Sequence, residues 1–232
     1  MKLGKVTSGG KDGGKRRYDD ACAATHGMDI IGARWALPVM RELMLGPRRF
    51  SELRRSLPAL SANVLTQRLE GLKAAGIVRR EKLPPPASVQ VYGLTPWGRE
   101  AGPIFQALGR WAARSPSHDP TRPFSPVSLM LSLRTMFSAE RAAGAAMRVG
   151  FAFGDDRFHL VVADGAVAIG RGPPDAPDLV LGGATGGVAA LVYAGTPAAE
   201  LEATGALTVE GDRDALARFA TLFPAPPKVE AG

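Results

Sequence analysis

The sequence predicts an α+β protein of two domains, helical before residue 115 and rich in sheet after residue 126. Three observations carry that prediction. Apolar residues recur at three-to-four spacing in the first half and alternate one by one through much of the second, the periods of helix and strand. Between them lies "SPSHDPTRPFSP" (115–126), whose four prolines in twelve residues have linker composition. The charge also changes sign there: residues 1–115 carry 20 Lys/Arg against 9 Asp/Glu, and residues 116–232 carry 9 against 13. A basic half beside an acidic one points to an anionic partner for the first, most simply nucleic acid.

Residues 1–17 are Gly, Lys and Ser with little to bury, and they read as a disordered basic arm. "DACAATHGMDIIG" and "RWALPVMRELMLG" then read as helices ending at Gly32 and Gly46. Pro38 requires that the second begin late or bend. "RFSELRRSL" sets Phe50, Leu53 and Leu57 on one face and Arg54 and Arg55 on another. The next helix opens at Ser61, whose hydroxyl can cap free amides. Leu65, Leu69 and Leu72 form its buried stripe, while Asn63, Gln67 and Glu70 point away with Thr66 on the flank. "IVRRE" and "VQVYGL" read as short strands joined by "KLPPPAS". Thr95-Pro96 then starts a helix that aligns Ala101, Ile104, Leu108 and Trp111.

Three helices followed by a two-stranded hairpin describe a winged helix-turn-helix. In that architecture the helix opening at Ser61 enters the major groove. Ser61, Asn63, Thr66, Gln67 and Arg68 are the expected base readers, since Asn and Gln bond adenine bidentately and Arg bonds guanine. Arg48, Arg49, Arg54 and Arg55 are expected at phosphates, joined from the wing by Arg79, Arg80 and Lys82.

The stretch from "DIIGARW" to "LGRW", including "RELMLGPRRFSELRRSLPALS", "VLTQRLEGLKAAGIVRR" and "VYGLTPWG", resembles the HxlR-type family of bacterial winged-helix transcription regulators across about residues 20–114. The resemblance implies a homodimer assembled through the first and last helices, where Ile30, Ile104, Leu108 and Trp111 lie. It also implies a pseudo-palindromic DNA operator matching the protein two-fold. Many members carry a cysteine near the start of the first helix, and some sense oxidants or electrophiles with it. Cys22 occupies that place, with Lys15, Arg16 and Arg17 nearby to favour a thiolate and Asp19 and Asp20 opposing it. The residues after it, "CAATHG", lack the proline common there in the family.

After the linker, "PVSLMLSLRTMFSAERAAGAAM" reads as one long helix frayed near Gly144. Val149, Phe151 and Phe153 alternate, as do Phe158, Leu160 and Val162, with turns at Gly154-Asp155-Asp156 and Asp164-Gly165. "DLVLGG" and "ALTVEGD" are further strands; "TGGVAALVYAG", "PAAELEATG" and "RDALARFATLF" are helices. The result is an antiparallel sheet covered on one face by helices. The element order, with "RFHLVVADGAVAIGRG", "DLVLGG" and "ALTVEGDRDALARFATLF", resembles the sterol-carrier-protein type 2 domain. That resemblance implies a tunnel for a small hydrophobic effector, lined by Phe151, Phe153, Phe158, Leu160, Val162, Leu191 and Phe219.

The expected organisation is therefore an arm (1–17), a winged-helix domain (18–114), a linker (115–126), a ligand-binding α+β domain (127–224) and a tail (225–232). The single cysteine excludes a disulfide framework or a multi-cysteine zinc site. His26, His118 and His159 share no spacing of a metal site or triad, so neither enzyme, metal nor cofactor is expected. No apolar run approaches the ~20 residues that span a bilayer, and no stretch has signal-peptide character. A cytoplasmic regulator without membrane contact is the leading expectation. The alternatives are a hydrophobic-ligand carrier that does not read DNA sequence, and a DNA binder whose second half only dimerises.

Overall fold

The computed structural model describes residues 18–230, so the expected arm and the last two residues lie outside the description. The chain order is α1 (Ala23–Ile31), α2 (Ala36–Leu43), α3 (Phe50–Ser56), α4 (Ala62–Ala74), β1 (Val78–Lys82), β2 (Gln90–Leu94), α5 (Pro96–Glu100) and α6 (Gly102–Ala113). There follow α7 (Pro126–Met136), β3 (Met147–Phe153), β4 (Asp156–Ala163), β5 (Ala166–Arg171), β6 (Leu179–Gly183), α8 (Thr185–Ala189), α9 (Ala198–Ala203), β7 (Leu207–Gly211) and α10 (Arg213–Ala220). Two separate apolar clusters form, one within residues 30–105 and one within 124–223, apart from Leu45, which packs into the second.

Pro38 sits in the first turn of α2, where the missing amide breaks no helical bond. Val39, Met40 and Leu43 then bury against Leu53, Leu65, Leu69 and Leu72. β1 and β2 pair antiparallel from Val78 opposite Leu94 to Lys82 opposite Gln90. Thr95 Oγ1 accepts from Gly98 N at 3.0 Å and donates to Gly76 O, tying α5 to the end of α4. A Cβ at Gly98 would collide with the Ile77 carbonyl, so this corner requires glycine. The expected single helix after Thr95 is two, broken at Ala101 immediately before Gly102-Pro103.

The second half corrects three expectations. The long helix ends at Met136, because Phe137 turns to extended backbone (ψ 132°) and packs its ring 6.0 Å from Phe223. Ser138 N then donates to Leu222 O, a tertiary bond that competes with the next helical turn. "TGGVAALVYAG" is α8 followed by a π-helical turn, Ala190–Ala194. The sheet has the order β5-β4-β3-β6-β7 and is mixed, since β6 runs parallel to β3. Residues 172–178 make that crossing over one face, where Pro174 lies 3.3 Å from the position of a Cβ on Gly150. Glycine leaves the passage open.

Alternation in β3 and β4 is as expected: Val149 faces Leu160 and Phe151 faces Phe158, all buried. Phe151 lies 6.0 Å from Phe219 and 6.1 Å from Phe153, and Phe219 lies 5.0 Å from Phe223. Phe151, Phe153, Phe158, Leu160, Val162, Leu191 and Phe219 are all buried in one cluster. Their rings and branched side chains pack on one another in that cluster. Val162 also borders a cleft with Met147 and Asp178.

Candidate nucleic-acid interface

The candidate reading surface is built on α4. Ser61 caps it, its Oγ accepting from Val64 N at 3.3 Å. Leu65, Leu69 and Leu72 anchor its inner face. Ser61, Asn63, Thr66, Gln67 and Glu70 remain exposed on the other side. Thr66 Oγ1 donates to Ala62 O at 3.0 Å, which leaves its methyl and oxygen lone pairs outward-facing options. Arg68 departs from the expected set. It shares a half-buried flank with Val64, and its Nε is buried without a partner. One residue past Gln67 means about 100° around the helix, off the reading face.

The flanking arginines divide into different roles. Arg49, Arg79, Arg80 and Lys82 are exposed. Arg79 Nε lies 3.0 Å from Glu81, and Arg80 donates to Gln90 across the hairpin. Arg54 is half-buried, and its Nη1 has no protein partner. Arg55 is exposed 3.4 Å from Asp155, a surface pair of small energetic value.

Arg48 is the clear correction, because it is 4% exposed and turned away from solvent. Its guanidinium donates to Ser56 Oγ at 3.0 Å, to Glu42 Oε2 at 3.4 Å and to Asp156 Oδ1 at 3.4 Å. Glu42 is itself fully buried and accepts from Arg41 at 3.0 Å and from Ser125 Oγ at 2.6 Å. Asp156 also receives Arg171 Nη1 at 3.0 Å, and the Arg171 guanidinium lies 4.8 Å from the Phe158 ring centre. A sequence expected to offer Arg48 to phosphate instead spends it joining α2, α3 and the β3–β4 turn. Glu42, which sequence reasoning missed, was signalled only by a carboxylate on the apolar side of an amphipathic helix.

α1 and α6 bury no residue. Met28 is exposed, as are Ile104, Leu108 and Trp111, the last at 71%; Ile30 is half-buried. Cys22 is exposed at the N-terminus of α1. Hydrogen bonding from the backbone of Thr25 and Ala24, and from the Thr25 hydroxyl, holds its thiol below the ordinary range. Lys15, Arg16 and Arg17 lie outside the described residues. His159 is half-buried with Nδ1 3.1 Å from Gly172 O, an ordinary satisfied histidine. No group of three His, Cys, Asp or Glu among the described residues could hold a metal ion. No described helix is long and apolar enough to cross a membrane.

A capped helix with a polar outer face, carried on a helical core and followed by a basic hairpin, defines a winged helix-turn-helix module. The chain belongs to the HxlR-like helix-turn-helix family, whose model matches residues 30–119, and so to a family of transcriptional regulators rather than enzymes. It is 36% identical over 85 residues to YvaP, an HTH-type transcriptional regulator of Bacillus subtilis, covering 37% of this chain and 79% of that one. It is 35% identical over 83 residues to the HTH-type regulator YodB of the same organism, covering 36% and 74%. The solved reduced form of YodB aligns with 31% identity over 42% of this chain and 98% of that one, at a TM-score of 0.39.

Proposed function

We propose that the protein is a homodimeric regulator reading a two-fold operator through α4, with its C-terminal half sensing a small molecule. The polar face Ser61, Asn63, Thr66 and Gln67, held rigid by a leucine stripe and a cap, carries the reading. Arg49, Arg54, Arg55, Arg79, Arg80 and Lys82 are its phosphate grip, with Arg68 at the edge. Arg54 is half-buried beside the exposed Arg55, and both side chains carry guanidinium charge that a phosphate would accept. Selection of bound fragments from genomic DNA tests the proposal; a pseudo-palindrome is expected, and random recovery contradicts it.

Dimerisation through α1 and α6 explains why two amphipathic helices leave Met28, Ile104, Leu108 and Trp111 uncovered. Trp111→Asp should weaken the dimer at least about tenfold in sedimentation analysis. An unchanged association constant would place the interface elsewhere.

The sequence boundaries stand as proposed domains: winged helix 18–114, linker 115–126 and sensing domain 127–224. The sterol-carrier-like reading of the last rests on element order and on the helices packed over a five-stranded sheet.

A redox role for Cys22 is a second reading, favoured by an exposed thiol whose thiolate is stabilised by local hydrogen bonds. The thiolate is the reactive form, so alkylation should slow as pH falls through a midpoint below that of a free thiol. Peroxide should alter operator affinity in the wild type and leave Cys22→Ser unaffected. Identical responses would remove the role.

A further inference from the structure

Effector sensing needs a site, and the residues expected to line one in the five-stranded sheet are buried against one another in its core. A cleft of about 350 Å³ lies instead between α2, α6 and α7, within the size range of small-molecule sites. Its walls are mainly apolar, with Leu37, Met44, Phe105, Leu131 and Met136 prominent. Two arginines line it, Arg41 and Arg134, and no carboxylate does. Arg41 is already engaged by Glu42 at 3.0 Å. Arg134 is half-buried on α7 and donates to the Ile169 carbonyl at 3.2 Å. Among the described residues no carboxylate lies within ion-pairing distance of it. A guanidinium has five donors, and one partly withdrawn from water without a counter-charge is incompletely compensated. Burial accordingly lowers its pKa.

We propose that this cleft binds a small apolar monocarboxylate, its body against Phe105, Leu131 and Met136 and its carboxylate on Arg134. The site rests on the sensing role proposed above and supplies the location that role lacks. Its occupant would touch α2 and α6 of the winged helix and α7 of the second half together. α6 also carries Ile104 and Trp111 on its exposed side, and Leu108 reaches both that side and the cleft wall. Binding at its inner side therefore biases the placement of two winged helices by whatever difference in affinity the ligand has for their arrangements.

Calorimetric titration of the full-length protein with 2-naphthoate and octanoate tests this, with 2-naphthalenemethanol as the uncharged comparison. One carboxylate per chain should bind with Kd below ~1 mM. The alcohol should bind at least about tenfold more weakly, the factor a charge-assisted contact contributes. Arg134→Met should abolish the preference for carboxylate over alcohol, and Arg134→Lys should restore much of it. Gly109→Leu, which builds a side chain into the wall, should weaken every probe while thermal unfolding shows the fold intact. Failure of both carboxylates to bind, or an unchanged preference in Arg134→Met, overturns the proposal. Operator binding by the same unliganded protein separates the two readings. Specific DNA binding without carboxylate binding sinks this site alone, whereas carboxylate binding without specific DNA binding sinks the regulator reading and leaves the cleft.

Discussion

Arg48→Ala is expected to lower the free energy of unfolding by about 3 kcal/mol while leaving the salt dependence of DNA binding unchanged. Both halves of that result follow from burial. Arg48 is 4% exposed and Glu42 fully buried, so removing the guanidinium strands a carboxylate in the interior. Loss of one partner from such a pair costs about 3–5 kcal/mol, much of it the desolvated charge left behind. The lower end applies because Glu42 keeps Arg41 and Ser125, while Asp156 keeps Arg171. Arg48→Met should recover little, since methionine replaces volume but not charge. Chemical denaturation measures the stability change. A phosphate-contacting Arg48 predicts the opposite pattern: near-wild-type stability and a salt slope smaller by about 0.9.

Gln67→Ala is expected to cost ~1–3 kcal/mol on the bound operator and almost nothing on unrelated DNA. Gln67 is exposed on the outer face of α4, opposite the leucine stripe, and truncation there disturbs neither core nor cap. A bidentate amide contact carries base identity; the sequence-blind arginines do not. Arg49→Ala, at an exposed position proposed to grip phosphate, should weaken operator and unrelated DNA alike. Competition binding on both duplexes separates the two behaviours.

Features set by neighbours along the chain are legible in the sequence itself. Ser61 before an apolar period of Leu65, Leu69 and Leu72 places the reading helix, and Thr95-Pro96 places the corner after the wing. Asp164-Gly165 marks the tight turn between β4 and β5. Features set by distant partners are not. Arg48 looks like its exposed neighbour Arg49, but Glu42, Ser56 and, 108 residues away, Asp156 together draw it inward. Alternating phenylalanines predict a buried sheet face, but which rings meet there, Phe151 with Phe219 and Phe219 with Phe223, is set by partners far along the chain. Phe137 ends α7 because of Phe223 and Leu222 in the last residues of the fold. The exposed site residues of the winged helix are thus largely readable, while the junction with the second half is not.

Sequence-selective reading by α4 is tested most directly by measuring binding to a selected operator and to a shuffled duplex, for the wild type and for Asn63→Ala/Gln67→Ala. The wild type should prefer the operator by about a thousandfold or more at physiological salt. The double variant should lose most of that preference and keep its salt-sensitive affinity for any duplex. A double variant with the wild-type preference intact would contradict the assignment of α4 as the reader.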